Sequence, residues 1–320
     1  MSFWNYDLNQ LVVQGHELRK VETCISFEEL LKGFKDLEKA TGREGYGVEV
    51  GIRCLFLQFF KDLSDREMEE RLRDDLSFRW FCGFTLDAKT PDHSFFGRMR
   101  QTLGTKRIGQ MFDKVVNAAK NKGIVRGVFV FVDASVVKSK ETTWEQRDKA
   151  LADGEEKLNN DNVGKYSADK DARFGCKGKK DFWYGFKRNV NVDMASGMIQ
   201  KTAMTPANVP DSKGFEKVCP KDAMVFADKG YCGKNVQQEL EKNNCHSGVI
   251  LKNNMKAKNK DKDSWLTKAR APFERVFSKL SDRARYRGIA KMQLQGFMQA
   301  FVHNVKRLLV LDSPPIFAGA

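Results

Sequence analysis

Three carboxylates stand where metal-assisted chemistry at a phosphodiester would need them. Asp133 ends the apolar run Val128–Val132, which reads as a strand buried on both faces. Asp228 ends a second such run, at Val225 and Phe226. Glu274 falls in a helical pattern whose apolar stripe is Phe273, Val276, Phe277 and Leu280, so it sits at the stripe margin, free to face the strand ends. In α/β sheets, chemistry gathers just beyond the carboxyl ends of the strands. Two divalent ions about 3.5–4 Å apart clamp the attacking and leaving oxygens of an in-line displacement at phosphorus. A few hard oxygen ligands with positions left for water and phosphate suit Mg²⁺, with Mn²⁺ able to substitute. Arg270 lies four residues before Glu274 on the same helical face, placed to pair with it or to meet a phosphate. Singly, each acid has a plainer reading: Asp133 as a strand end, Asp228 as a turn residue, Glu274 as a surface helix residue. Together they make a candidate two-metal site.

Composition narrows the partner. The 320-residue chain is long enough for one large domain or two ordinary ones. Its formal net charge of +14 favours a polyanion, with nucleic acid ahead of an acidic membrane. The cysteine count of 7 is odd, and several cysteines sit inside apolar helical patterns, which fits reduced thiols better than a disulfide framework. No apolar run reaches membrane-spanning length and the first residues lack a signal-peptide charge pattern, so the expectation is a cytoplasmic protein with no membrane partner.

The elements that must position the three acids follow from periodicity. Residues 1–25 show little of it and read as an arm. Residues 26–123 read as helical, a domain for DNA binding or dimerisation. Phe27, Leu30, Leu31 and Phe34 form one stripe, and Val48, Ile52, Leu55, Phe56 and Phe59 form another. Ser64 and Glu67 have capping-box spacing. Residues 76–84 form a short aromatic segment. Thr90 followed by Pro91 predicts a helix start, and Ile108, Met111, Phe112, Val115 and Val116 mark a further helix ending at Gly123. Short helices joined by tight turns in a basic chain are compatible with a helix-turn-helix-like reader, with Arg98, Arg100, Lys106 and Arg107 as weak contact candidates.

Residues 124–312 read as the domain carrying the acids, with a charged insertion over 138–181 and a tail at 313–320. A hairpin is predicted from Phe182–Val192 and Gly197–Met204, turning at Met194–Gly197. Around it, Arg173, Lys177, Lys179, Lys180, Lys187 and Arg188 interleave with Phe174, Phe182, Trp183, Tyr184 and Phe186, a mixture that can grip phosphates and stack on bases. The plainer reading is an aromatic core face with a solvated lysine face. Residues 208–218 predict a short helix, Val236–Leu240 another, Gly248–Leu251 a short strand and 252–264 a lysine-rich loop. Arg283, Arg285 and Arg287 precede an apolar terminal helix.

As an ordered set, several stretches resemble the bacterial insertion-sequence DDE transposases, in the branch called the IS-five family. They are LSDREMEERLRDDLSFRWFCGF (63–84), TPDHSFFGRMRQTLG (90–104), VFVDASVV (130–137), DKDARFGCKGKKDFWYGFK (169–187), VFADKGYCG (225–233) and APFERVFSKL (271–280). The resemblance implies an α/β fold with an RNase H-like mixed sheet flanked by helices, preceded by a helical N-terminal domain. It implies Asp133, Asp228 and Glu274 as catalytic residues and ligands of two Mg²⁺ ions. It also implies double-stranded DNA as partner, both the element's terminal inverted repeats and the target, and a homodimer or higher oligomer on DNA. Arg270 and Glu274 match the family's tyrosine, arginine, glutamate, lysine pattern. Thr267 and Ser281 depart from its tyrosine and lysine, with Lys279 and Arg283 nearby, and Asn189 stands where relatives often carry histidine. Two alternatives stay open: an RNase H-like nuclease that cuts without joining, and a catalytically silent DNA-binding regulator of the same fold.

Overall fold

The computed structural model describes residues 7–34, 45–178, 180–255 and 259–317, without the side chains of Glu274 and Arg275. The chain divides into two compact units: one runs to Lys122 and takes in the chain from Asn304 onward, and the other is Gly123–His303.

The first unit is helical: α1 (Leu8–Leu11), α2 (Glu17–Cys24), α3 (Phe27–Leu31), α4 (Val48–Phe60), α5 (Asp65–Asp74), α6 (Leu76–Cys82) and α7 (His93–Asn121). The expected N-terminal arm is corrected here. Leu8, Leu18, Val21 and Cys24 are buried, so two short helices form where the pattern was too brief to read as periodic. Residues 76–82 are likewise helical, capped by Asp75 and stopped by Gly83 at φ 81. The capping box at α5 forms, with Glu67 N–H donating to Ser64 Oγ (3.3 Å) and Ser64 N–H donating to Glu67 (2.7 Å). Asp92 rather than Thr90 caps α7, accepting from Phe95 N–H at 3.1 Å. Gly104, at φ 67, breaks α7 between the two stripes that the sequence separates. Phe27, Phe56 and Phe81 pack edge-on or tilted at centroid distances of 5.4, 5.6 and 5.9 Å in this unit's core. The end of the chain is fastened here, with Lys306 donating to the Phe60 carbonyl (2.8 Å) and Ile316 N–H to the Cys24 carbonyl (3.2 Å).

The second unit is built on one sheet. Its elements are β1 (Phe129–Lys138), α8 (Trp144–Ala152), α9 (Val163–Tyr166), β2 (Arg173–Lys177), β3 (Asp181–Asp193), β4 (Ile199–Pro206), α10 (Asp211–Phe215), β5 (Met224–Ala227), α11 (Lys234–Lys242), β6 (His246–Val249), α12 (Lys260–Ser278) and the part of α13 (Ile289–Val310) that precedes Asn304. The strand order is β2-β3-β1-β5-β6, with β4 also on β3. β3 is antiparallel to β1, β2 and β4, while β1-β5-β6 are parallel. This is the mixed sheet flanked by helices expected of an RNase H-like core. Alternation along the strands splits the packing. Val130, Val132, Val225 and Ala227 meet Phe215 of α10 and Val236 and Leu240 of α11. Phe131 and Phe226 face the other way, onto Leu266, Phe273 and Phe277 of α12. Three details differ from the sequence reading. β1 continues past Asp133 to Lys138, so that acid lies within the strand and not at its end. β2 forms within the charged insertion, and α12 starts at Lys260, capped by Asn259, where a loop was expected. Asn259 accepts from Asp261 and Lys262 N–H, both at 3.0 Å, which is enough to nucleate a lysine-rich turn.

Candidate active site

Asp133 and Asp228 come together through register. Phe131 of β1 lies opposite Phe226 of β5 in the parallel ladder, and each aspartate is two residues further along. Side chains two apart share a face, so both acids emerge on the side covered by α12. Phe131 packs on Phe273 and Phe277 at centroid distances of 6.3 and 6.0 Å, and Phe226 packs on Trp265 at 6.1 Å. Glu274 therefore occupies a helix position beside Phe273, one turn after Arg270. Its side chain lies outside the described residues. Pro272, two positions earlier, removes the N–H that would bond the Lys268 carbonyl, loosening α12 at this level.

Both aspartates are half-buried. Burial pushes the Asp133 carboxyl up to about 6; the neighbouring Asp228 adds to the rise, while the Ala134 N–H, Arg270 and Lys177 oppose it. Asp133 accepts from Ala134 N–H at 2.8 Å, and Asp228 accepts from Gly230 N–H at 2.7 Å while capping the 3₁₀ turn Lys229–Tyr231. Beside Asp228 opens a cleft of about 690 Å³ whose wall includes Lys229, Lys260, Thr267 and Arg270. Hard oxygen donors, partly desolvated and mutually repelling, are a donor set suited to a divalent cation. Among the described residues, no three metal-ligating side chains already converge, and Glu274 is not among them.

Two neighbours escaped the sequence reading. Asp211, at the start of α10, accepts from Lys187 at 2.7 Å. Tyr231 is 1% exposed and its hydroxyl is acted on electrostatically by Asp133, Asp211 and Asp228. Tyr231 was visible inside the ADKGY stretch, but only Asp228 had a type that announced chemistry. Asp211 lay inside the stretch 208–218, read only as a short helix.

The basic candidates separate sharply. Arg100 is only 13% exposed and grips Asp65 through two hydrogen bonds of 2.8 and 2.6 Å. Arg188 is 1% exposed and donates to the Ser281 carbonyl (2.8 Å) and Gln299 (2.6 Å), with burial lowering its guanidinium to about 10. Lys187 is held by Asp211 and the Val209 carbonyl, and Arg287 by Glu141 at 2.6 Å. Arg100, Lys187 and Arg188 are thereby withdrawn into the fold, which corrects their assignment as phosphate contacts, whereas Arg287 stays exposed. Arg173 donates to its own turn, at Lys170 and Ala172 carbonyls. Arg270 and Arg285 are half-buried, while Arg98, Lys177, Lys180 and Arg283 are exposed; Lys179 lies outside the described residues. Of the positions departing from the family pattern, Thr267 bonds within its helix to Asp263, and Asn189 is buried against Ala203 and Thr205. Ser281 offers its carbonyl to Arg188.

Two family models match the chain. Residues 6–102 match a transposase domain (DUF772), and residues 126–305 match the transposase DDE domain. A solved structure of the piggyBac transposase synaptic complex with hairpin DNA aligns with 93% of this chain and 74% of its own, at 10% identity and a TM-score of 0.39, too distant to inform residue roles. The second family spans the sheet, both aspartates and α12, more than half of the sequence, and the chain belongs to it: this is an insertion-sequence transposase of the DDE domain family.

Proposed function

We propose that the chain cuts DNA at the ends of a mobile element and joins the freed 3′ ends to target DNA, with Asp133, Asp228 and Glu274 as catalytic carboxylates. The observation that carries this reading is the equal offset of Asp133 and Asp228 beyond the parallel β1–β5 pair, on the face that α12 covers. Two Mg²⁺ ions held by these acids would supply Lewis acidity at the attacking and leaving oxygens. The chain's own residues do the rest. Burial, with a smaller contribution from Asp228, raises the proton affinity of Asp133, and a cation would offset both, so metal binding and deprotonation are coupled. Lys229, Lys260 and Arg270 line the cleft beside Asp228 and hold the phosphate backbone of the strand being cut. In the first step water attacks phosphorus and the 3′ oxygen of the element end leaves. In the second that 3′ hydroxyl attacks a target phosphorus, and the target's own 3′ oxygen leaves. No protein–DNA bond is needed in either step. Because two element ends are processed together, two or more copies assemble on double-stranded DNA, at the nucleoid.

A strand-transfer assay with pre-cleaved ends, run with the wild-type chain, Asp133→Asn and Asp228→Asn, tests the reading. Joined product from the wild type and loss of at least about 10³-fold in each variant, with DNA binding kept, is the expected result. Cleavage without joining would favour a nuclease, and unchanged function in Asp228→Asn would favour a DNA-binding regulator.

A further inference from the structure

Tyr231 closes the 3₁₀ turn that Asp228 opens. Its ring packs edge-on against Phe215 at a centroid distance of 5.9 Å and lies among Val130, Val132 and Ala227, under the sheet. Phenylalanine would fill that space equally well. The hydroxyl, however, is buried and has no hydrogen-bond partner among the described residues. Leaving such a group unpaired costs about 1–3 kcal/mol, and buried tyrosines ordinarily find a partner. Burial, reinforced by Asp133, Asp211 and Asp228, holds the phenol in its protonated form, so it is a donor among acceptors.

Asp211 and Asp228 converge on the same turn. A Cβ at Gly230 would lie 2.8 Å from Asp228 Oδ1 and 3.8 Å from Asp211 Oδ2. Asp211 Oδ1 is occupied by Lys187, which balances its charge and leaves Oδ2 toward the turn. The turn thus carries an acidic pair with one compensating lysine and one donor in waiting.

We infer that Tyr231 is a positioning residue: when the aspartates hold divalent cations, its hydroxyl donates to a carboxylate oxygen of Asp228 or Asp211 and fixes the ligand's orientation. This rests on the metal-binding reading above. A donor behind a carboxylate ligand sets its direction and raises metal affinity, and removing one typically costs about 10–100-fold.

The test is Mn²⁺ titration by calorimetry of the full-length chain, as wild type, Asp228→Asn and Tyr231→Phe, with thermal unfolding in chelator alongside. Tyr231→Phe should bind Mn²⁺ about 10–100-fold more weakly while its metal-free melting temperature equals or exceeds that of the wild type, because no bond is lost in the metal-free fold. Wild-type Mn²⁺ affinity in Tyr231→Phe, with Asp228→Asn impaired, overturns the role of Tyr231 and leaves the metal site standing. Weak Mn²⁺ binding together with a lowered metal-free melting temperature also overturns it, since the hydroxyl would then be structural. If Asp228→Asn binds Mn²⁺ as the wild type does, both readings fall.

Discussion

Burial and the nearby Asp228 hold the Asp133 carboxyl at about 6, above the usual carboxylate range near 3.9. The sign of the resulting stability effect is fixed. Below about pH 4, folded and unfolded chains both carry the proton and nothing is lost. As pH climbs from 4 to 6, the unfolded chain releases its proton first and the metal-free fold is progressively destabilised, fully so above about 6. Asp133→Asn removes that charge. In chelator at pH 8 the variant should be more stable than the wild type by about 1–3 kcal/mol, and the gain should vanish near pH 4. Urea unfolding at the two pH values measures it; a gain of equal size at both would show that packing, not charge, is responsible. Excess Mg²⁺ at pH 8 should narrow the difference, because only the wild type has the full ligand set. A residue kept at a cost to the metal-free fold is what a site built for a cation requires.

At the level of elements, β3 does more than its basic composition suggested. Arg188 lies within it, inside the protein, and joins the strand to Ser281 and to Gln299 of α13. Arg188→Ala should strand those acceptors and destabilise the fold by about 3–5 kcal/mol, seen as a fall in the urea midpoint. Arg188→Met, which keeps much of the volume, should lose less. A neutral Arg188→Ala would return the residue to the surface role that composition favours. The contrast shows what could be read from the sequence. Strands β1 and β5 were legible because buried parallel strands are continuous apolar runs, and α5 was legible because Ser64 and Glu67 announce its start. Helices α1 and α2 were not, since each offers too few turns for a period. For the candidate site, Asp133 and Asp228 were readable as the acids that end two apolar runs, but β1 continues past Asp133 to Lys138, and the alignment of the two acids depends on register between segments far apart in sequence. Tyr231 and Asp211 act through tertiary neighbours that no local pattern records.

The whole molecule carries a net charge of +14, yet its basic residues are not interchangeable. Arg100, Lys187, Arg188 and Arg287 are committed to carboxylates or carbonyls of their own chain, whereas Lys177 and Lys180 stand exposed at the turn between β2 and β3 beside the exposed Phe182. Lys177 also lowers the Asp133 carboxyl electrostatically, so this hairpin tip lies within range of that acid. Phosphate contacts release counterions, so each one adds about 0.9 to the slope of log affinity against log salt on duplex DNA. Lys177→Ala with Lys180→Ala should lower that slope by about 1–2 and weaken binding most at low salt. Arg100→Ala should instead leave the slope unchanged and lower the melting temperature, because it releases Asp65 of α5 rather than a phosphate. Fluorescence anisotropy on a labelled duplex from about 50 to 200 mM salt separates the two classes. If the slope falls for Arg100→Ala and holds for the lysine pair, DNA lies along the helical unit and not along the hairpin. If only the lysine pair moves it, the strand to be cut is gripped at the edge of the sheet that holds Asp133, where an exposed aromatic ring beside two cations can stack on a base as the backbone passes.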